Sequence, residues 1–94
     1  MNETQQRIFN FINYLCNSCL LHDDNGNKLN NMPVLLTRHA IARKLCLSEK
    51  TVQRNLDWLV NNKHIYRISL SGVYIYNTKP ITNVNDVICR IRYS

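Results

Sequence analysis

The chain has 94 residues, 45% hydrophobic and 19% charged, which supplies apolar surface for one core and too little length for two. Twelve Lys and Arg against six Asp and Glu leave a formal net charge of +6, a balance that favours anionic partners such as nucleic acid. No apolar run approaches the ~18 residues of a membrane span, the start lacks the order of a signal peptide, and the length argues against most enzymes, so a soluble cytoplasmic protein is expected.

In chain order, Ile8, Ile12, Leu15, Cys16 and Cys19 recur at spacings of three and four, with Phe9, Phe11 and Leu20 widening the stripe, and predict an amphipathic helix over Thr4 to Leu21. From His22 to Pro33, Asp23, Asp24, Asn25, Gly26, Asn27, Asn30 and Asn31 read as a loop. Val34 to Leu36 are too few for a helix and predict a short extended segment. Thr37 can cap a second helix, with Ile41, Ala42 and Leu45 on one face and Arg38, His39, Arg43 and Lys44 on the other. Ser48 can cap a third, with Glu49 in its first turn and Val52, Leu56, Leu59 and Val60 at helical spacing to about Asn62. Ile65, Tyr66, Ile68 and Leu70, a Ser71-Gly72 turn, then Val73 to Tyr76 predict a β-hairpin over 64–77. Asn83 can cap a last helix over about 83–92, with Val84, Val87, Ile88 and Ile91 sharing a face and Arg90 and Arg92 at its end. The fold class is α+β, mainly α, in one domain.

The order helix, loop, short strand, two helices with a tight turn and hairpin resembles the winged helix-turn-helix superfamily over residues 34 to 77. Ser48, Thr51, Val52, Arg54, Leu56 and Leu59 match the Ser-x-x-Thr-Val-x-Arg-x-Leu-x-x-Leu run of its bacterial and phage regulators. Ala42 stands where a small residue lets the two helices cross. Cys46 departs from the Gly usual at the turn, which implies backbone strain or a differently shaped turn. The branch that binds left-handed duplexes fits poorly: Gln53 precedes Arg54, Asp57 stands where those domains have Tyr, and the hairpin lacks their Pro-Pro-x-Trp end.

Charge follows the same stretch. Between Thr37 and Arg67 lie Arg38, Arg43, Lys44, Lys50, Arg54, Lys63 and Arg67 against Glu49 and Asp57, so +5 of the total +6 is concentrated there. Such clustering suits a line of phosphates, although a charged helix face is often simply solvated. The resemblance implies that the third helix enters the major groove, bringing Ser48, Glu49, Lys50, Thr51, Gln53 and Arg54 within reach. Arg54 suits guanine and Gln53 adenine, while Lys50 could take a base or a phosphate. Glu49 either accepts from cytosine or, as the favoured reading, satisfies the helix dipole. Thr37, Arg38 and His39 suit phosphates, and Lys63 and Arg67 are candidate wing contacts.

Other side chains have plainer readings. Trp58 is expected to seal the core rather than stack on a base, and Tyr66, Tyr74 and Tyr76 to divide between a packed face and a wetter one that could pair copies. His39 and His64 lack a partner motif for catalysis. Cys16, Cys19 and His22, with Cys46 or Cys89, spell a conceivable zinc or iron-sulfur set, but Cys16 and Cys19 fall in the apolar stripe and are expected to fill the core. The 23–26 loop puts Leu21 and Met32 at calcium-ligand places and is not expected to bind the ion. The expectation is a non-enzymatic transcription regulator with no cofactor or metal, no membrane and no small-molecule substrate, reading double-stranded DNA, with the first helix and residues 82–93 as the elements left over for a homodimer. A plasmid or phage replication or partition factor would use the same residues, and a winged-helix protein-interaction module is the alternative of another class.

Overall fold

The computed structural model describes residues 1–17, 25–26, 32–70, 73–81 and 92–93. Helix α1 (Glu3–Asn17) begins at a reciprocal cap. The Gln5 N–H donates to Asn2 Oδ1 at 2.8 Å and the Asn2 N–H to Gln5 Oε1 at 2.9 Å, satisfying two backbone donors that the helix itself cannot. Ile8, Ile12 and Cys16, one turn apart, are fully buried, and Phe9, Phe11 and Leu15 pack at their flanks. The Cys16 carbonyl accepts from the Met32 N–H at 2.9 Å, which fixes where the chain returns after the 18–31 region. The predicted extension of α1 to Leu21, Cys19 included, lies outside the described residues.

Strand β1 (Val34–Leu36) leads through Thr37 into α2 (Arg38–Leu45). Thr37 has extended backbone and its Oγ1 accepts the Ala40 N–H at 3.0 Å, so the chain turns into helix there. Ala40, Ile41 and Ala42 are buried; two alanines in that run let α2 approach its neighbours closely. The helix stops at Cys46, which is left-handed at φ 57° and ψ 45°, with its own N–H and that of Leu47 both turned onto the Ala42 carbonyl. A residue with a Cβ pays roughly 1–2 kcal/mol for that conformation. Because Cys46 is exposed, little packing is lost on trimming it. Cys46→Gly is therefore expected to stabilise by about 0.5–1 kcal/mol and raise the melting temperature by a few degrees, whereas Cys46→Val lowers it; thermal denaturation followed by circular dichroism checks both.

Helix α3 (Glu49–Asn61) starts at Ser48, whose Oγ accepts the Thr51 N–H at 3.1 Å. Val52, Leu56 and Leu59 face the core. Its exit is a second left-handed turn at Lys63 (φ 59°). There the His64 N–H reaches the Leu59 carbonyl at 2.9 Å and the Lys63 N–H the Val60 carbonyl at 3.1 Å. The Trp58 ring stacks on His64, 5.5 Å between centroids and 15° between planes, so the indole braces this exit while it packs against the core.

Strands β2 (Tyr66–Leu70) and β3 (Val73–Asn77) pair antiparallel from Leu70 with Val73 to Tyr66 with Asn77, the register that a two-residue connection demands. β3 also pairs antiparallel with β1, matching Val34 to Tyr76. The sheet order is β2-β3-β1-β4, where β4 is Arg92–Tyr93, parallel to β1 with Leu35 opposite Arg92 and Leu36 opposite Tyr93. The expectation of a helix as far as residue 92 is thus corrected at its end: β1 offers an unpaired edge, and the chain supplies strand there. The rest of that segment, with Val84, Val87, Ile88 and Ile91, lies outside the described residues.

The fold is α+β and mainly helical, with α1, α2 and α3 on the sheet face that carries Val34, Leu36 and Tyr76. Cys16 belongs to this core, its thiol donating to the Tyr76 carbonyl at 3.7 Å. Burial pushes its pKa up to about 11, against a smaller lowering by the Thr78 backbone, so the thiol stays protonated and unreactive at neutral pH. No helix among the described residues is long and apolar enough to cross a membrane.

Candidate nucleic-acid interface

The core residues of α3 fix which of its side chains look outward. With Val52, Leu56 and Leu59 inward, the 3.6-residue repeat puts Lys50, Arg54 and Asn61 on the opposite side, and all three are exposed. Neither Lys50 nor Arg54 has an ion pair or hydrogen bond among the described residues, so each keeps its full set of donors for something else. Gln53 and Asp57 lie to one side of this line and Thr51 and Asn55 to the other. Ser48 and Thr51 are engaged with each other, Ser48 Oγ donating to Thr51 Oγ1 at 2.8 Å while it caps the helix.

On the Gln53 side, the first turn of α2 meets the first two turns of α3 through one cluster. Glu49 holds Arg38 Nε at 3.4 Å by one carboxylate oxygen and His39 Nδ1 at 3.2 Å by the other. Arg38 Nη1 also donates to Gln53 Oε1. The side chains of Arg38, His39 and Glu49 are about half exposed, so these contacts add little stability, of order 0–1 kcal/mol for such a pair. Their effect is positional. Glu49 aims the Arg38 guanidinium along α3, and the Gln53 carbonyl oxygen, engaged by Arg38, keeps a second lone pair beside its amide N–H groups. The adenine pairing expected of Gln53 needs both a donor and an acceptor, and Gln53 retains both beside the Arg38 contact. Glu49 sits in the first turn of α3, where the helix dipole favours it, and in addition ties the two helices together.

Arg67, a candidate wing contact from the sequence, is engaged within the fold. Its Nη1 donates to Asp57 Oδ1 at 3.0 Å, and its guanidinium carbon lies 5.2 Å from the centroid of the Tyr74 ring. Burial works against its charge, but hydrogen bonds to Asp57 and Tyr76 more than offset that, and its pKa is held above the ordinary value. Tyr76 is pushed upward by burial, partly countered by Arg67. Arg67 therefore joins the hairpin to α3, and the cations on the outward face are Arg38, Lys50 and Arg54. Lys63 stands exposed at the left-handed exit of α3, and Arg43 and Lys44 are exposed on the last turn of α2.

The partners of Arg67 were partly available to sequence reasoning, since a two-residue Ser71-Gly72 connection places Arg67 opposite Tyr76. Asp57 was not, because it reaches Arg67 only through the tertiary docking of hairpin on helix. Among the described residues no three His, Cys, Asp or Glu side chains converge as metal ligands; Cys19, His22 and Cys89 lie outside them. No protein-family profile, curated protein or solved structure matches this chain.

Proposed function

We propose that this chain binds duplex DNA through a winged helix-turn-helix arrangement and acts as a small transcription regulator, with α3 in the major groove. The observation that carries this reading is the outward face of α3: Lys50 and Arg54, opposite the core residues and free of any carboxylate partner among the described residues, with Arg38 alongside. A helix is the element that fits a major groove, and Arg is the side chain best shaped for guanine. Thr37, Arg38 and His39 at the start of α2 flank it as phosphate contacts, with Lys63 beyond its far end. Ser48 and Thr51 order the entry of α3, and Glu49 aims Arg38. The β2–β3 hairpin is the wing, with Arg67 as the brace that sets its angle to α3.

Selection of bound duplexes from a random pool, followed by anisotropy titration of a labelled selected duplex at several salt concentrations, tests this. Neutralising three to five phosphates predicts a slope of about −3 to −5 in log affinity against log salt. A flat dependence, or no enrichment from the pool, overturns the reading and favours an acidic protein partner. A palindromic site would show that two copies bind together.

A further inference from the structure

A cleft of about 500 Å³ opens between the start of α2, the middle of α3 and the hairpin, a size typical of small-molecule sites. Half of its lining is apolar or aromatic, including Leu36, Leu56, Val73 and Tyr74. Val73 and Tyr74 are 42% and 48% exposed, so two of the four exposed large hydrophobic side chains among the described residues stand on its wall. One guanidinium, Arg67, is already committed to Asp57 and lies against the Tyr74 ring. The other, Arg38, is half exposed and among the described residues tied only to Gln53 and Glu49, which leaves part of its fork available.

These features define a ligand chemistry. With Arg38 drawn off Glu49, Arg38 and Arg67 against Asp57 leave the lining with a single net positive charge, which suits a monoanion, and the Asp57 carboxylate repels a multiply charged phosphate. An aromatic plane is what the Tyr74 ring and the Val73 wall can cover, and a carboxylate is what a guanidinium fork takes in two parallel hydrogen bonds. We propose that this cleft is a regulatory site for a planar aromatic monocarboxylate, whose carboxylate draws Arg38 off Gln53 and Glu49. The regulatory part rests on the DNA-binding reading, since it withdraws from the outward face a cation assigned there to phosphate. By reciprocity, ligand and duplex then weaken each other's binding.

The test is calorimetric titration of the full chain with 2-naphthoate at fixed ionic strength, with 2-naphthamide as the uncharged control. One saturable site for the acid and none for the amide is expected. Arg38→Gln should weaken binding by about tenfold, the value of a charge-assisted contact. Val73→Asp, an exposed change that keeps the fold and sets a like charge at the rim, should weaken it by a similar factor. Tyr74→Ser should cost about fivefold through the lost aromatic contact. No heat from the acid, or equal binding of acid and amide, or indifference to both Val73→Asp and Tyr74→Ser, overturns the site whatever the protein does with DNA. In the second arm, 2-naphthoate titrated against the complex should raise the Kd for the selected duplex several-fold in the unmodified chain, and in Val73→Asp should do so only at about tenfold higher ligand concentration. An unaltered Kd in the unmodified chain overturns the regulatory role. Absence of duplex binding without ligand sinks the DNA reading and the regulatory role with it, while the calorimetric arm still decides the site.

Discussion

Arg54→Ala is expected to lower the preference for a selected duplex over a random one by about 10- to 100-fold, the size of one lost bidentate guanine contact. The residue points directly away from Val52, Leu56 and Leu59 and has no partner among the described residues, so its removal leaves the fold in place. Alanine is also the better helix former, and stability should change by less than about 0.5 kcal/mol. Arg38→Ala is the informative contrast: a phosphate contact carries no sequence information, so affinity should fall for all duplexes alike and the salt slope should shrink by about one. Competition titrations of both variants against selected and random duplex separate the two behaviours. If Arg54→Ala weakens both duplexes equally, Arg54 is a phosphate contact and base reading lies elsewhere on the helix.

The largest effect on stability is expected from Leu59→Ala. Leu59 is fully buried, and its backbone carbonyl also receives the N–H of His64 as the chain leaves α3. Removing its side chain forfeits the transfer energy and leaves a cavity where α3 meets the rest of the core, about 2–5 kcal/mol in all. A domain of this size holds roughly 5–14 kcal/mol, so the melting temperature should drop by at least about 10 °C. Asn61→Ala, two residues on and exposed, should move it hardly at all. Chemical denaturation of both variants checks this, and a Leu59→Ala chain as stable as the parent would refute the packing described for α3.

Much of the fold was legible because local chemistry and periodicity agreed. Thr37 and Ser48 cap the helices that the apolar spacing predicts, and Ser71-Gly72 sits where the hairpin must turn. The cap of α1 was missed because it is written in Asn2 and Gln5, which look like ordinary surface residues until their reciprocal bonds are seen. β4 was missed for another reason. Its two residues carry no pattern of their own and become strand only because β1 has an open edge. At the candidate site the residue types were readable but their couplings were not. Nothing in the spacing of Arg38, Glu49 and Gln53 says that one holds the next, since the contact depends on the angle at which α2 crosses α3.

The parallel pairing of Leu35 with Arg92 has a kinetic consequence. β1 immediately precedes α2, so the platform from which the helix pair departs is completed by residues from the far end of the chain. Closing a loop that long is entropically slow compared with winding helices or zipping a hairpin. Assembly of the molecule would then wait on its contacts of long sequence separation, this one and that of Cys16 with Tyr76, while the individual helices and the hairpin can form beforehand.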